Sequence, residues 1–228
     1  MVSVITLTYK RKNLLEEAIE SFLRQGCSEC EMIVINDCED IEYQFDHPNV
    51  KIVNIKERFP SVMDKLMHAF SLAKNYYMYR LDDDDLLAEN ALAKSIEAIG
   101  ENPGYDVYRS KGNYFFSNNV FVEKSGSVNN GNIYTKDYID RIKEWPTKSY
   151  GEDHWLTYSN EAKIFEYEDI SMIYRWGMNT YHISSYGDIN NDKAFENVDK
   201  NTKEEGFHIL KPNFTKEYYE EIKDAERR

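Results

Sequence analysis

Positive charge is scarce in this sequence relative to negative: 28 Lys and Arg stand against 41 Asp and Glu in 228 residues, a formal net charge of −13. A surface of that sign repels phosphate unless cations cluster locally, and no basic block is visible. A nucleic-acid clamp or an anionic-membrane binder is therefore disfavoured. Long apolar runs are also missing, since none approaches the ~18 residues that a membrane-spanning helix needs. The chain enters the apolar segment 2–9 without a basic region, an apolar core and a cleavage site, so no signal segment is expected. Three cysteines, Cys27, Cys30 and Cys38, cannot all pair and are too few for a disulfide framework at this length, which fits a reducing, cytoplasmic setting. Glycine is sparse where it would matter most. The turn after the first apolar segment reads Tyr9-Lys10-Arg11-Lys12, where a Walker-type phosphate cradle or a dinucleotide fingerprint requires a glycine-rich run.

Apolar and aromatic residues are plentiful, at 41% and 14%, enough for one sizeable core and one main domain. The first hundred residues alternate strand and helix signals, the pattern that yields a parallel sheet covered by helices. Residues 2–8 form a β-branched apolar run expected to be a strand buried on both faces. Asn13 followed by Glu16 nearly matches a capping box, and apolar residues then recur at helical spacing as far as Gly26. Residues 32–35, 50–55 and 76–81 are further strand candidates. Ser61 is positioned to cap a second helix, and a third is expected over 88–99. Beyond Pro103 come short aromatic strands at 105–108, 114–116 and 120–122, and a turn-rich stretch at 124–132. Helices are expected at 136–145 and 153–161, an extended segment at 164–176, and a charged terminal helix at 214–228.

Asp82-Asp83-Asp84-Asp85 closes a strand expected to be buried. Four adjacent carboxylates repel, and each raises the pKa of its neighbours. In open α/β sheets ligands bind beyond the carboxyl ends of the strands, where this cluster falls, and Mg²⁺ or Mn²⁺ prefers such hard oxygen donors. A solvated acidic run facing the dipole of the next helix is the competing reading. EF-hand spacing fails, because the turn glycine would have to be Leu87. Glu152-Asp153 after Gly151 reads on its own as an ordinary helix start. Cys27 and Cys30 follow the C-terminal end of a helix, the wrong dipole for a reactive thiol. A zinc site completed by Cys38 and His47 would be split by a strand.

The blocks VSVITLTYKR, EMIVINDCED, YMYRLDDDDLL and GEDHWL, in this order, resemble the family-2 glycosyltransferases of the GT-A fold. The resemblance covers residues 2–156, and Tyr174-Arg175 and His182-Ile183-Ser184 resemble a C-terminal element of that family. It implies an α/β architecture with a mostly parallel nucleotide-binding central sheet flanked by helices and a less regular acceptor-side portion. The domain would span 1–186, with a donor half at 1–103 and an acceptor half at 104–186, followed by a polar extension at 187–228. It also implies a nucleotide-sugar donor, with uridine as the expected base, a divalent metal (Mn²⁺ or Mg²⁺) and inverting transfer to an acceptor hydroxyl.

Carried over by position, Thr8, Tyr9 and Arg11 lie in the loop that meets the nucleotide, and Asp37 bonds the base. Asp82 and Asp83 serve the donor, Asp84 and Asp85 the metal, with His182 as a further metal or diphosphate contact. Asp153 is the general base and Glu152 its catalytic neighbour. Asn36-Asp37-Cys38 stands where relatives often carry Asp-Asp-Gly, and Met67 where many carry Asn. Lys65 either meets the diphosphate or lies along the helix surface. Trp145, Tyr150, Trp155 and Trp176 offer aromatic faces for an acceptor cleft or for the core. A nucleotidyltransferase and a non-catalytic nucleotide-sugar-binding module are the alternative functions.

Overall fold

The computed structural model describes residues 1–147, 151–177 and 205–228. Strand β1 (Val2–Thr8) is buried along its whole length, as its β-branched run predicts. Side chains alternate across a strand, so Val2 and Val4 enter one core and Ile5 and Leu7 the other. Helix α1 (Lys12–Leu23) packs Leu15, Ala18, Ile19 and Phe22 into the first core. Strand β2 (Glu31–Asn36), strand β3 (Ile41–Gln44) and strand β4 (Val50–Asn54) follow. Helix α2 (Val62–Ser71) then lays Met63, Leu66, Met67 and Phe70 against the second core. Ser61 caps α2 as expected, its hydroxyl accepting from the Asp64 amide at 3.1 Å. Ser61→Ala should lower stability by about 1 kcal/mol, read from the urea midpoint.

Strand β5 (Tyr77–Arg80) leads through the acidic turn to the short strand β6 (Leu86–Leu87) and helix α3 (Ala91–Glu101). Then come β7 (Val107–Ser110), β8 (Gly112–Ser117), β9 (Val120–Gly126), β10 (Ile133–Thr135) and α4 (Lys136–Arg141). After α5 (Glu152–Tyr158) the order is β11 (Ile164–Tyr167), β12 (Met172–Trp176), β13 (Gly206–Ile209) and α6 (Tyr218–Glu226). The main sheet has the order β11-β7-β10-β5-β1-β2-β4. It is parallel across β5, β1, β2 and β4, and β10 runs antiparallel to both of its neighbours. A second sheet, β6-β12-β8-β9, stands beside the acidic turn, and β13 pairs with β3.

Several expectations shift. No side chain caps α1, which starts at Lys12 with Arg11 as its cap residue, so the Asn13–Glu16 box does not form. The Glu16 carboxylate instead accepts from the Lys211 amide at 2.7 Å, and the Arg11 side chain is drawn to Asp83 and Asp84. The helix expected over 136–145 ends at Arg141, because Ile142 turns extended and buries its side chain in the second core. The turn-rich reading of 124–132 passed over β10 next to it, which inserts between β5 and β7. Cys27 and Cys30 are joined in a disulfide across the turn after α1, so the low cysteine count did not exclude a local bridge. Cys38 is a buried thiol whose pKa is pushed up by burial. The terminal helix expected over 214–228 forms as α6, and residues 205–228 are anchored to the body through β13, Leu210 and Tyr218.

Candidate active site

The chain leaves β5 at Arg80, and the Leu81 amide still bonds to the Ile5 carbonyl of β1 at 3.0 Å. Asp82–Asp85 therefore begin at the carboxyl edge of the two central parallel strands. The turn closes with the Asp85 amide on the Asp82 carbonyl at 3.1 Å. Carboxylate oxygens of Asp82, Asp84 and Asp85 converge within 4.8 Å of one another. Asp83 points elsewhere, receiving Arg11 Nε at 3.1 Å, and Arg11 Nη1 also reaches Asp84 at 3.0 Å. Asp85 accepts from Asn130 Nδ2 at 2.5 Å and from the Arg175 amide at 2.9 Å. The protein itself thus supplies part of the counter-charge that the four acids require.

Burial pushes the Asp83 carboxyl up to about 6, against the pull of Arg11 and with added repulsion from Asp84. Burial, then the charges of Asp84 and Asp82, hold Asp85 well above the ordinary carboxylate range. Asp82 is also raised by burial, with Arg80 opposing and Asp84 adding to the shift. Three converging oxygen donors that are costly to ionise together fit a hard divalent cation, which would offset their repulsion. Asp82, Asp84 and Asp85 are the residues that would hold it.

Arg80 joins this cluster to the expected base. Its Nη2 contacts Asp82 at 3.2 Å and donates to Glu152 at 2.7 Å, and its Nη1 lies 3.9 Å from Asp153 Oδ2. Glu152 is buried, and burial pushes its pKa up while Arg80 opposes the shift. Asp153, in the first turn of α5, keeps 28% of its side chain exposed, and the His154 amide donates to its Oδ1 at 2.7 Å. Asp153 is therefore the more exposed carboxylate of this pair.

Lys65, expected either to meet the diphosphate or to lie along the helix surface, does not lie along the surface. It is buried, and its Nζ donates to Asp37 Oδ1 at 2.5 Å and to the Thr8 carbonyl at 2.7 Å. Burial lowers its pKa, and Asp37 opposes that shift. The other Asp37 oxygen accepts from the Phe59 amide at 3.2 Å. Asp37 is thus held in place at the end of β2, beside the end of β1. Tyr9 follows, with the Arg58 guanidinium 4.6 Å above its ring.

The proposed acceptor-side aromatics do not share one surrounding. Trp145 donates to Asp64 Oδ1 at 2.9 Å and lines a groove of about 590 Å³ between α2 and α4. Trp155 packs on the second core, and Trp176 ends β12 beside Tyr174. Tyr150 and His182 lie outside the described residues. Sequence reasoning passed over Arg80, Asn130 and Glu17, and read Arg175 only as part of a family element. Arg80 and Arg175 were detectable as cations inside apolar strand runs, where a buried charge requires partners.

The sequence model of glycosyl transferase family 2 matches residues 3–162. TuaG of Bacillus subtilis (strain 168), a glycosyltransferase assigned to teichuronic acid biosynthesis, is 29% identical over 108 residues, which is 44% of this chain and 42% of TuaG. An uncharacterized glycosyltransferase of Haemophilus influenzae is 27% identical over 107 residues, 45% of this chain and 36% of that protein. The chain spans less than half the length of these curated relatives. Among solved structures, S. aureus TarS 1-349 in complex with UDP-GlcNAc superposes with a TM-score of 0.67 at 19% identity, covering 90% of this chain and 68% of that one. The mannosyltransferase PcManGT from Pyrobaculum calidifontis, in complex with GDP-Man and Mn²⁺, gives 0.55 at 16% identity, covering 76% of this chain and 56% of that one. The likeness to these structures establishes the GT-A fold.

Proposed function

Because this chain belongs to glycosyl transferase family 2, we propose that it moves a hexosyl or N-acetylhexosaminyl group from a uridine-diphosphate sugar to an acceptor hydroxyl, with inversion, in the cytoplasm. One observation carries this reading: Asp82, Asp84 and Asp85 converge at the carboxyl edge of β5, and Arg80 links that cluster to Glu152 and Asp153. The residues assigned to donor and base thus lie near one another, which supports the reading. The uridine assignment is supported by the UDP-GlcNAc complex of TarS, and the cation by the Mn²⁺ complex of PcManGT.

The roles are those carried over by position from the family, and the geometry is consistent with them. Thr8, Tyr9, Arg11 and Asp37 border the nucleotide, with Lys65 setting Asp37. By family position Asp82 and Asp83 serve the donor; the converging oxygens of Asp82, Asp84 and Asp85 would hold the cation, Asp83 being bound by Arg11, with His182 as the further metal or diphosphate contact carried over from the family. When bound, Mn²⁺ or Mg²⁺ neutralises charge on the departing diphosphate as a Lewis acid. Asp153 accepts the acceptor's hydroxyl proton while that oxygen bonds to the anomeric carbon. The bond to the diphosphate breaks on the opposite face, and its electron pair leaves with the phosphate oxygen. A glycosidase would instead need two opposed carboxyls, one of them protonated, flanking the sugar.

Ligand-linked melting tests the reading, because a ligand that binds only the native state stabilises it by about 2.7 kcal/mol at a hundred times its Kd. Uridine diphosphate with Mn²⁺ should raise the melting temperature, and the cation should be required. An equal rise in chelator would remove the metal role of Asp84, and a rise with guanosine diphosphate alone would remove the uridine assignment.

A further inference from the structure

The Asp82–Asp85 turn is held from behind by one buried residue of the second sheet. Arg175, on β12, donates its backbone amide to Asp85 Oδ1 at 2.9 Å and its Nε to the Asp84 carbonyl at 2.5 Å. Together these bonds set both the main chain and a side chain of the turn. The Arg175 guanidinium is fully buried, so it persists there only beside a counter-charge. Glu17 of α1 supplies it, accepting from Arg175 Nη1.

Glu17 is buried too, and its remaining bonds come from the C-terminal segment. Its Oε1 accepts from the Thr215 amide at 2.8 Å and the Thr215 hydroxyl at 2.6 Å. The Tyr218 hydroxyl lies 3.2 and 3.3 Å from its two oxygens. The Tyr218 ring packs edge-on against Phe116 at 5.5 Å, and the Tyr219 hydroxyl donates to the carbonyl of Leu87, just past the turn, at 3.0 Å. Residues 205–228 therefore reach Glu17, Phe116 and Leu87, around the acidic turn, although they lie more than a hundred positions along the chain from it.

We propose that Glu17, acting through Arg175, is a positioning residue for the acidic turn, and that the C-terminal segment is part of the donor site because it holds Glu17. This rests on the reading of Asp82, Asp84 and Asp85 as the cation site. Three converging carboxylates repel, so a turn restrained only by its own bonds splays apart, and a ligand must then supply the ordering. Held from behind, the turn is already formed. Glu17 also cancels the Arg175 charge, which would otherwise stand behind the carboxylates and oppose a cation.

Two measurements on the full chain test this. Free Mn²⁺ is followed by electron paramagnetic resonance during titration, without any sugar donor. Amide hydrogen exchange over residues 82–87 is measured in metal-free protein. Glu17→Gln keeps the shape of the side chain and should weaken Mn²⁺ binding by about 10–100-fold, the usual effect of losing an outer partner of a metal site. Exchange over 82–87 should rise in step. Tyr218→Phe leaves the Glu17–Arg175 pair intact and should shift both readouts in the same direction, by less. A folded Glu17→Gln protein with wild-type Mn²⁺ affinity and wild-type exchange overturns the proposal. If Glu17→Gln does not fold, Tyr218→Phe decides, and wild-type values for both readouts overturn it. A wild-type protein that binds no Mn²⁺ refutes the cation site instead, and hydrogen exchange still judges the positioning role.

Discussion

Asp153→Asn should lower donor turnover by about 10²–10⁴-fold, the usual contribution of a positioned general base, with little change in melting temperature. The amide has nearly the same shape but cannot take the hydroxyl proton. Structural losses are small, because Asp153 is partly exposed and its side chain caps no helix through a bond to the backbone of α5 beyond the adjacent amide. The Thr157 hydroxyl bonds the Asp153 carbonyl, which the substitution keeps. What is lost is a helix-dipole interaction worth about 0.3–1 kcal/mol at the N-terminal turn of α5, together with the 3.9 Å charge contact to Arg80 Nη1. Release of nucleoside diphosphate from the sugar donor is the measurement. Undiminished release would reject Asp153 as the base, whereas a wild type that releases none would leave the non-catalytic binding module standing.

Arg80→Met is the substitution expected to cost most in stability, about 3–5 kcal/mol, the range for breaking one side of a buried ion pair. Methionine fills similar volume but leaves buried Glu152 facing Asp82 and Asp153 without the cation that now stands among them. Glu152 would then take up a proton more readily, since burial already pushes its pKa up and Arg80 is the main opposing influence. Arg80→Lys should recover only part of the loss, because a single ammonium cannot reproduce a fork that contacts Asp82 and Glu152 together. Urea unfolding in chelator measures these effects without the cation. In the double variant Arg80→Met with Glu152→Gln, the cost should be smaller than the sum of the single variants. Strict additivity would mean that the Arg80–Glu152 contact carries no coupling.

Much of this protein was legible in its sequence, for reasons that are local. The apolar run of β1, the Ser61 cap of α2 and the break from β5 into four aspartates each depend on residues a few positions apart, and periodicity and capping report such relations directly. They sufficed to place an acidic cluster at the carboxyl edge of a parallel sheet. The family resemblance then supplied Asp153, which local pattern alone reads as a helix start.

The identity of each charge's partner was decided only by the tertiary structure. Arg11 meets Asp83 across 72 positions, Arg80 meets Glu152 across 72, and Arg175 meets Glu17 across 158. Lys65 turned inward to Asp37, and β10, three residues long, joined the main sheet antiparallel between two longer strands. No periodicity encodes such contacts. A buried charge requires a counter-charge or hydrogen bonds, but any of the chain's acids and bases could meet that need until packing brings particular ones together.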